Sequence, residues 1–310
     1  MARVEHSEHT AHGIDDVLAA EKPAFARAVR AVVTGDIAAL RAELAAAPEL
    51  SRARSGSLHR ATLLHYVAAN GIEDELQRPI AGADEIASTL LEAGADVDAT
   101  CDAYEGRYPT TLSLLVSSDH PARAGVSARL VDVLCNAGAA VDGLHGDRLP
   151  LSTALLFGRT ECVDALITRG AHTDNIVFAA AAGHVEWVRR WLARDPTLIE
   201  RPCPTFPLDD DRGVAAEQAL VFASLCGRVD VVCLLLDHGV NIDATPPGSH
   251  WTATALHAAA GQGQRAVVEL LVDRGADQSI KDVRYQSTPL DWATHMGRDS
   301  VIAVLSELSI

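Results

Sequence analysis

Apolar residues along this chain fall into short blocks that recur in the same form. Val229, Val231, Val232, Leu234, Leu235 and Leu236 follow one another with hardly a polar break. A stripe that wide exceeds what an isolated surface helix needs and fits a helix sandwiched between neighbours. Val267-Val268-Glu269-Leu270-Leu271 repeats the pattern one block later. Ahead of each lies an alanine-rich block, as in Ala179-Ala180-Ala181-Ala182 and Ala258-Ala259-Ala260. Alanine has the highest helix propensity, and its small side chain lets helices approach closely. The pattern predicts pairs of short helices, one small-faced and one broad-faced. Leu235 and Leu270 are expected between neighbouring helices.

Glycine marks where the helices stop. The first helix of each block ends at Gly35, Gly71, Gly158, Gly183, Gly227, Gly263 and Gly297, with Asp119 as a substitute in one block, giving eight units. Glycine suits that position because the chain leaves a helix through left-handed backbone, which costs other residues energy. A second stop follows at Gly94, Gly138, Gly170, Gly239 and Gly275, and Ala47-Pro48 and Asp195-Pro196 replace it in two units. Proline ends a helix equally well. Gly158 to Gly170, Gly183 to Asp195, Gly227 to Gly239 and Gly263 to Gly275 share one spacing of twelve residues.

The clearest block runs Thr254-Ala255-Leu256-His257-Ala258-Ala259-Ala260, then Gly263, then Val267 to Leu271, then Gly275-Ala276-Asp277. It resembles the ankyrin repeat, and similar blocks recur from about Pro23 to Ile310. The resemblance implies an all-α solenoid of stacked helix–turn–helix units with short β-hairpin-like fingers. Residues 1–22 read as a disordered or irregular tail, and 23–310 as one elongated, curved ankyrin-repeat domain. One unit cannot bury enough apolar surface alone, so stability comes from the interfaces between neighbours.

Departures from the repeat carry further information. Gly71 to Gly94 is 23 residues rather than twelve, and Asp119 to Gly138 is 19. Two adjacent units thus enlarge the same helix–helix connection, through either neutral insertion or a shared accessory lip. Among the fingers, Gly94 to Thr110 is extended and carries Tyr104 and Tyr108, whereas Gly170 to Asp174 is cut almost to nothing. The segment after Asp195 is long and reads Arg201-Pro-Cys-Pro-Thr-Phe-Pro-Leu-Asp-Asp-Asp211. A missing finger beside a long, proline-stiffened one predicts a notch with a flap over it. In that arrangement Ala181 and Ala182 floor the notch, Phe206 caps it, and Asp209, Asp210 and Asp211 form a negative rim. Deleting Thr205 to Asp211 is then expected to leave stability almost untouched.

Apolar residues make up 48% of the chain, enough for a core, and aromatics only 4%, which fits helices packed on alanine and leucine. The net charge of −16 argues against a nucleic-acid partner, because no basic stripe is present to displace counterions. It favours basic segments if charge selects the partner at all, and otherwise serves solubility. Only Lys22 and Lys281 are lysines. With the alanine excess, this looks like the coding bias of a GC-rich, bacterial source. No run approaches the length of a membrane span, and the polar start lacks the apolar core of a signal peptide. The six cysteines show no paired metal spacing, so the chain reads as reduced and cytoplasmic.

In ankyrin stacks, the resemblance implies, the residues just before the first-helix glycine and the finger tips line a concave groove. Carried onto this sequence, these are Asn70, Ser117, Ser118, Phe157, Gln262 and His295, with Tyr104, Tyr108, His250, Trp251 and Tyr285 on the fingers. Phe206 and the three aspartates complete the candidate set. His65 and His257 occupy the family's Thr-x-x-His position, and His184 follows a helix-ending glycine, so all three read as structural. His295 and Asp291 share a helix face, an arrangement that could hold a base. Asp291 nevertheless stands in the Thr288-Pro-Leu-Asp motif, where a backbone bond is the favoured role. No phosphate loop, dinucleotide fingerprint, nucleophile elbow or zinc-protease helix is present. The chain therefore reads as a monomeric module that binds a protein or peptide, without cofactor or metal. The alternative is a small-molecule binder or enzyme with its site under the 201–211 loop.

Overall fold

From Pro23 onward each predicted helix pair is present, because each apolar stripe finds a neighbouring stripe to bury against. The computed structural model describes residues 14–68, 72, 76–103, 108–201, 203–248 and 252–307. These fall into two compact bodies, 1–144 and 145–310. The N-terminal body holds α1 (Ile14–Leu18), α2 (Pro23–Thr34), α3 (Ile37–Ala46), α4 (Leu63–Ala68), α5 (Ala83–Glu92), α6 (Thr111–Leu115), α7 (Asp119–Arg123) and α8 (Ser127–Asn136), with a 3-10 turn at Pro48–Arg52. The C-terminal body holds α9 (Leu149–Leu156), α10 (Thr160–Thr168), α11 (Ile176–Ala182), α12 (Val185–Leu192), α13 (Arg212–Leu225), α14 (Val229–Asp237), α15 (Ala255–Gln262), α16 (Arg265–Asp273), α17 (Pro289–His295) and α18 (Asp299–Glu307). Among the described residues there is no strand, only the isolated bridges Arg54–Thr62 and Thr100–Thr110 where hairpin fingers begin and end.

In the C-terminal body the small-faced helices α11, α13, α15 and α17 pack in succession, and α12, α14, α16 and α18 form the second layer. Ala179, Ala180, Ala181, Ala258, Ala259 and Ala260 are fully buried between neighbours, as their size permits. Leu235 is fully buried. Leu270 is only half-buried, because Val267, Val268 and Leu271 take the inward face of α16.

Polar side chains cap several of the first helices. Thr254 and His257 form a reciprocal box, as do Thr288 and Asp291. Asn175 accepts from the Phe178 backbone N–H at 2.8 Å, and Thr110 from that of Ser113 at 3.3 Å. Such caps satisfy backbone donors that a helix leaves unpaired at its start. His65 is fully buried and its Nδ1 accepts from Thr62 N–H at 3.1 Å. Burial, aided by the Arg54 charge, pushes its pKa down to about 4. His257 bonds Thr254 through Nδ1 and reaches the Ser287 carbonyl through Nε2 at 3.0 Å, tying one repeat to the next.

A second inter-repeat tie was not visible in the motif. In the last three repeats the residue after the helix-ending glycine reaches back to the preceding repeat: Arg228 Nε donates to Ala181 O, Gln264 Nε2 to Leu225 O and Arg298 Nε to Gly261 O. Each accepting carbonyl lies two residues before the preceding repeat's helix-ending glycine. These carbonyls belong to the last turn of a helix, where no intrahelical donor remains. Gly227 and Gly263 are required twice over. Both have positive φ, and an added Cβ would meet Gln264 or Arg298 within 3.1 Å.

Asp119 does not act as the expected glycine substitute. Helix α6 stops at Leu115, and Asp119 opens the short extra helix α7, which Gly125 ends with φ of 67°. The insertion in the preceding repeat packs as well, since Ile72 and Leu76 are almost wholly buried.

Candidate functional site

The 201–211 loop fills the notch instead of roofing it. Phe206 is 4% exposed and lies edge-on between Phe178 and Phe222, with ring centroids 5.5 and 5.3 Å away. Thr205 Oγ1 donates to Asp147 O at 2.9 Å and lies 2.8 Å from Ser152 Oγ. Arg148 pairs with Asp174 at 2.7 Å and donates to Arg201 O at 3.1 Å. Arg201 N–H in turn donates to Asp174 O at 2.9 Å. The long segment thus substitutes for the missing finger. An aromatic ring beside a notch of alanines gains most by entering it. Phe206 is therefore core, not a cap over a ligand, and its ring fills the space expected beneath it.

Two of the three aspartates are also committed to the fold. Asp211 caps α13, accepting from Gly213 and Val214 backbone N–H groups, and Asp209 accepts from Asp211 N–H at 2.9 Å. Asp210 is exposed. Sequence reasoning missed Gln218, which is fully buried. Its amide donates to Pro207 O and Pro247 O at 2.9 and 2.7 Å and accepts from Asp209 N–H at 3.1 Å. Among the described residues, no group of three His, Cys, Asp or Glu side chains could hold a metal ion.

A cleft of about 480 Å³ lies elsewhere in this body, walled chiefly by Phe157, Gln262, Tyr285, Asp291, Trp292 and His295, with Met296 at its side. Four sequence candidates thus converge: Phe157, Gln262, Tyr285 and His295. Phe157, Tyr285 and Met296 are 43%, 59% and 48% exposed, an unusual concentration of large uncovered apolar groups. Gln262 Nε2 donates to Gly158 O at 3.0 Å, bringing the ends of α9 and α15 together beneath it.

Asp282, fully buried, holds the far wall. Its carboxylate accepts from Tyr285 N–H at 2.6 Å, Ser287 N–H at 3.0 Å and Trp292 Nε1 at 3.1 Å. Burial alone would raise its pKa, but these donors outweigh it and hold the carboxyl below its ordinary value. His257 lies edge-on to Trp292 at 5.5 Å, and burial keeps its pKa below the usual imidazole value. Asp291 is occupied as a cap: its Oδ2 accepts from Thr288 N–H and Thr288 Oγ1, both at 2.8 Å. Thr288, with a smaller contribution from Lys281, lowers the Asp291 pKa.

The remaining candidates separate. Ser118 is buried immediately before α7, Ser117 is half-buried with its hydroxyl on Leu114 O, and Tyr108 is 64% exposed. All three belong to the N-terminal body. Asn70, Tyr104, His250 and Trp251 lie outside the described residues.

Residues 243–310 match the family model described as Ankyrin repeats (3 copies), and 218–245 match Ankyrin repeat. The chain is an ankyrin-repeat protein. It is 28% identical over 231 residues to the Ankyrin repeat and KH domain-containing protein mask-1 of Caenorhabditis elegans, covering 72% of this chain and 8% of that protein. It is 31% identical over 170 residues to the Ankyrin repeat protein nuc-2 of Neurospora crassa, covering 52% and 14%. Against the human Ankyrin repeat and SOCS box protein 6 the identity is 38% over 76 residues, covering 24% and 18%. The chain thus spans less than a fifth of the length of these relatives, all of them eukaryotic, and the bacterial source suggested by composition finds no support among them. The human ASB11 ankyrin repeat domain superposes with a TM-score of 0.40 at 22% identity, covering 89% of this chain and 96% of that one. Ankyrin repeats are in general protein–protein interaction modules. Among the described residues, no helix is long and apolar enough to cross a membrane.

Proposed function

We propose that this ankyrin-repeat protein captures a segment of a partner protein in the cleft walled by Phe157, Tyr285 and Trp292, on the concave face of the first helices. The observation that carries the reading is the convergence of Phe157, Tyr285 and Met296 on one cleft, each about half uncovered although large and apolar. Aromatic and thioether groups concentrated in a recess are what interface anchors dock against. The same reading has the module acting as a monomer in a reducing cytoplasm. A triple variant, Phe157→Ser with Tyr285→Ser and Met296→Ser, tests it. Partners co-purifying with the wild-type chain should be lost from the variant while its helical circular dichroism is retained. Retention of every partner by the folded variant moves the site elsewhere.

A second reading has one observation in its favour. About 480 Å³ with mainly apolar walls falls within the size range of small-molecule sites. Saturable binding of a small organic ligand that excludes the protein partner would favour it. Neither reading assigns a chemical step to the cleft.

A further inference from the structure

Gly261 lines the cleft without a side chain, and its backbone gives no reason for a glycine. It lies inside α15, outside the left-handed region, where alanine has the higher helix propensity. The carbonyls that accept the inter-repeat ties mark Ala181 and Leu225 as its equivalents in the two preceding repeats. A Cβ on Gly261 would stand 3.0 Å from Cε3 and 3.7 Å from Cζ3 of Trp292. That ring is not free to give way. Its Nε1 donates to the fully buried Asp282 at 3.1 Å, and His257 stands edge-on to it with ring centroids 5.5 Å apart. The missing Cβ thus serves the close seating of Trp292 against α15.

That seating bears on what the cleft can hold. Phe157, Tyr285 and Trp292 all line it, so three aromatic rings border one recess. Rings gain from edge-to-face contact beyond the area they bury. The same body shows such a place filled once: Phe206 enters edge-on between Phe178 and Phe222, at 5.5 and 5.3 Å. Resting on the binding site proposed above, we infer that Gly261 is a positioning residue of the cleft. By seating Trp292 against α15 it keeps room for an aromatic side chain of the partner segment. The anchor is Phe, Tyr or Trp, and its ring packs on Trp292 as Phe206 packs on its neighbours. Gly261 acts through Trp292 and needs no contact with the partner.

Panning a random-peptide phage library on the whole chain tests this, with the Phe157, Tyr285 and Met296 triple serine variant as the counter-selection. Enriched peptides should share one aromatic residue, and replacing it by Leu should weaken them about tenfold or more. Gly261→Ala should lower their affinity about fivefold or more and shift the Trp292 indole N–H resonance, because the two residues are in contact. In a Trp292→Phe background, which removes the outer ring that a Cβ would meet, the same alanine should change affinity less than about twofold. If cleft-dependent peptides carry aliphatic anchors, the inference is overturned and the binding site stands. If the folded Gly261→Ala chain keeps both affinity and indole resonance, or loses affinity equally in the Trp292→Phe background, Gly261 does not act through Trp292 and the inference is again overturned. Should Gly261→Ala alone fail to fold, recovery of folding by Trp292→Phe supports the contact and its absence overturns it, while the anchor type on the wild-type chain still decides the rest. If enriched peptides bind the triple variant as well as the wild type, the site itself fails.

Discussion

Two segments of the C-terminal body each bring an aromatic residue to the end of a first helix, with opposite outcomes. In the 201–211 loop Phe206 enters the core between Phe178 and Phe222, whereas in the finger from Asp282 to Ser287 Tyr285 stays 59% exposed. Both segments are held by a buried polar residue, Gln218 in one and Asp282 in the other. The difference lies in what the neighbouring repeat leaves open. The shortened connection between Gly170 and Asp174 vacates space that Phe206 fills, while beside Tyr285 the aromatic wall is flanked by a cleft that the described residues leave empty. An aromatic residue in an irregular loop is therefore no sign of a site until its partners are known.

The sharpest way to break this comparison is to truncate the buried ring. Phe206→Ala should destabilise the C-terminal body by roughly 3–5 kcal/mol in a urea titration, the range for large core aromatics. A change near zero would return Phe206 to the surface role that the sequence suggested. Deleting Thr205 to Asp211 should likewise be strongly destabilising, because it also removes the Asp211 cap and the Thr205 bond to Asp147.

Next in size is an effect of pH that separates buried from exposed cap residues. His65 and Asp291 hold equivalent places, yet His65 is buried and Asp291 exposed. The folded pKa of His65, about 4, lies below its ordinary 6.5, so the unfolded chain takes up a proton that the folded one refuses. The stabilisation is complete above pH 6.5 and is lost progressively as pH falls towards 4. The loss should be about 3 kcal/mol, from the free-energy equivalent of the shift. Comparing wild type with His65→Asn, which cannot titrate, isolates the effect from the relief of the −16 net charge. The stability advantage of the wild type should shrink by that amount between pH 7 and pH 4, and a constant difference would show that His65 ionises freely when folded.

What was legible in the sequence follows the range of each interaction. Helix-ending glycines, the Thr-x-x-His boxes and the role of Asp291 depend on residues a few positions apart, and each reads directly. Phe206 does not, because Phe178 and Phe222 lie 28 and 16 positions away and only the fold brings them to it. The ties from Arg228, Gln264 and Arg298 span a whole repeat, but they left a trace: a long donor side chain directly after the helix-ending glycine. Four members of the cleft were legible because they occupy repeat positions, whereas Trp292 and Asp282 were missed because their bond is particular to this chain.

Asp282→Asn probes the finger from below. The amide can still accept from Tyr285 N–H, but its NH2 group would face the donors of Trp292 and Ser287. The cost should be about 1–3 kcal/mol, the penalty for buried donors left without an acceptor. The Trp292 indole N–H resonance should move with it, since Nε1 loses its 3.1 Å partner. An unmoved indole signal would mean that the wall is held by packing alone, and the parallel between Gln218 and Asp282 would fail.

The smallest expected effect is the most discriminating. Tyr285→Ser removes a ring as large as that of Phe206, but its backbone N–H is the group that Asp282 holds, and the backbone survives the change. Exposed substitutions of this kind usually alter stability by no more than about 0.5 kcal/mol. The denaturation midpoint should therefore stay at the wild-type value, and so should the Trp292 indole resonance, in contrast to Asp282→Asn. Set beside a loss of several kcal/mol for Phe206→Ala, this measures directly that one aromatic residue is used for folding and the other is left for contact. A destabilisation of Tyr285→Ser comparable to that of Phe206→Ala would show that its ring is already packed in the free chain. The cleft would then be part of the core rather than a surface prepared for a partner.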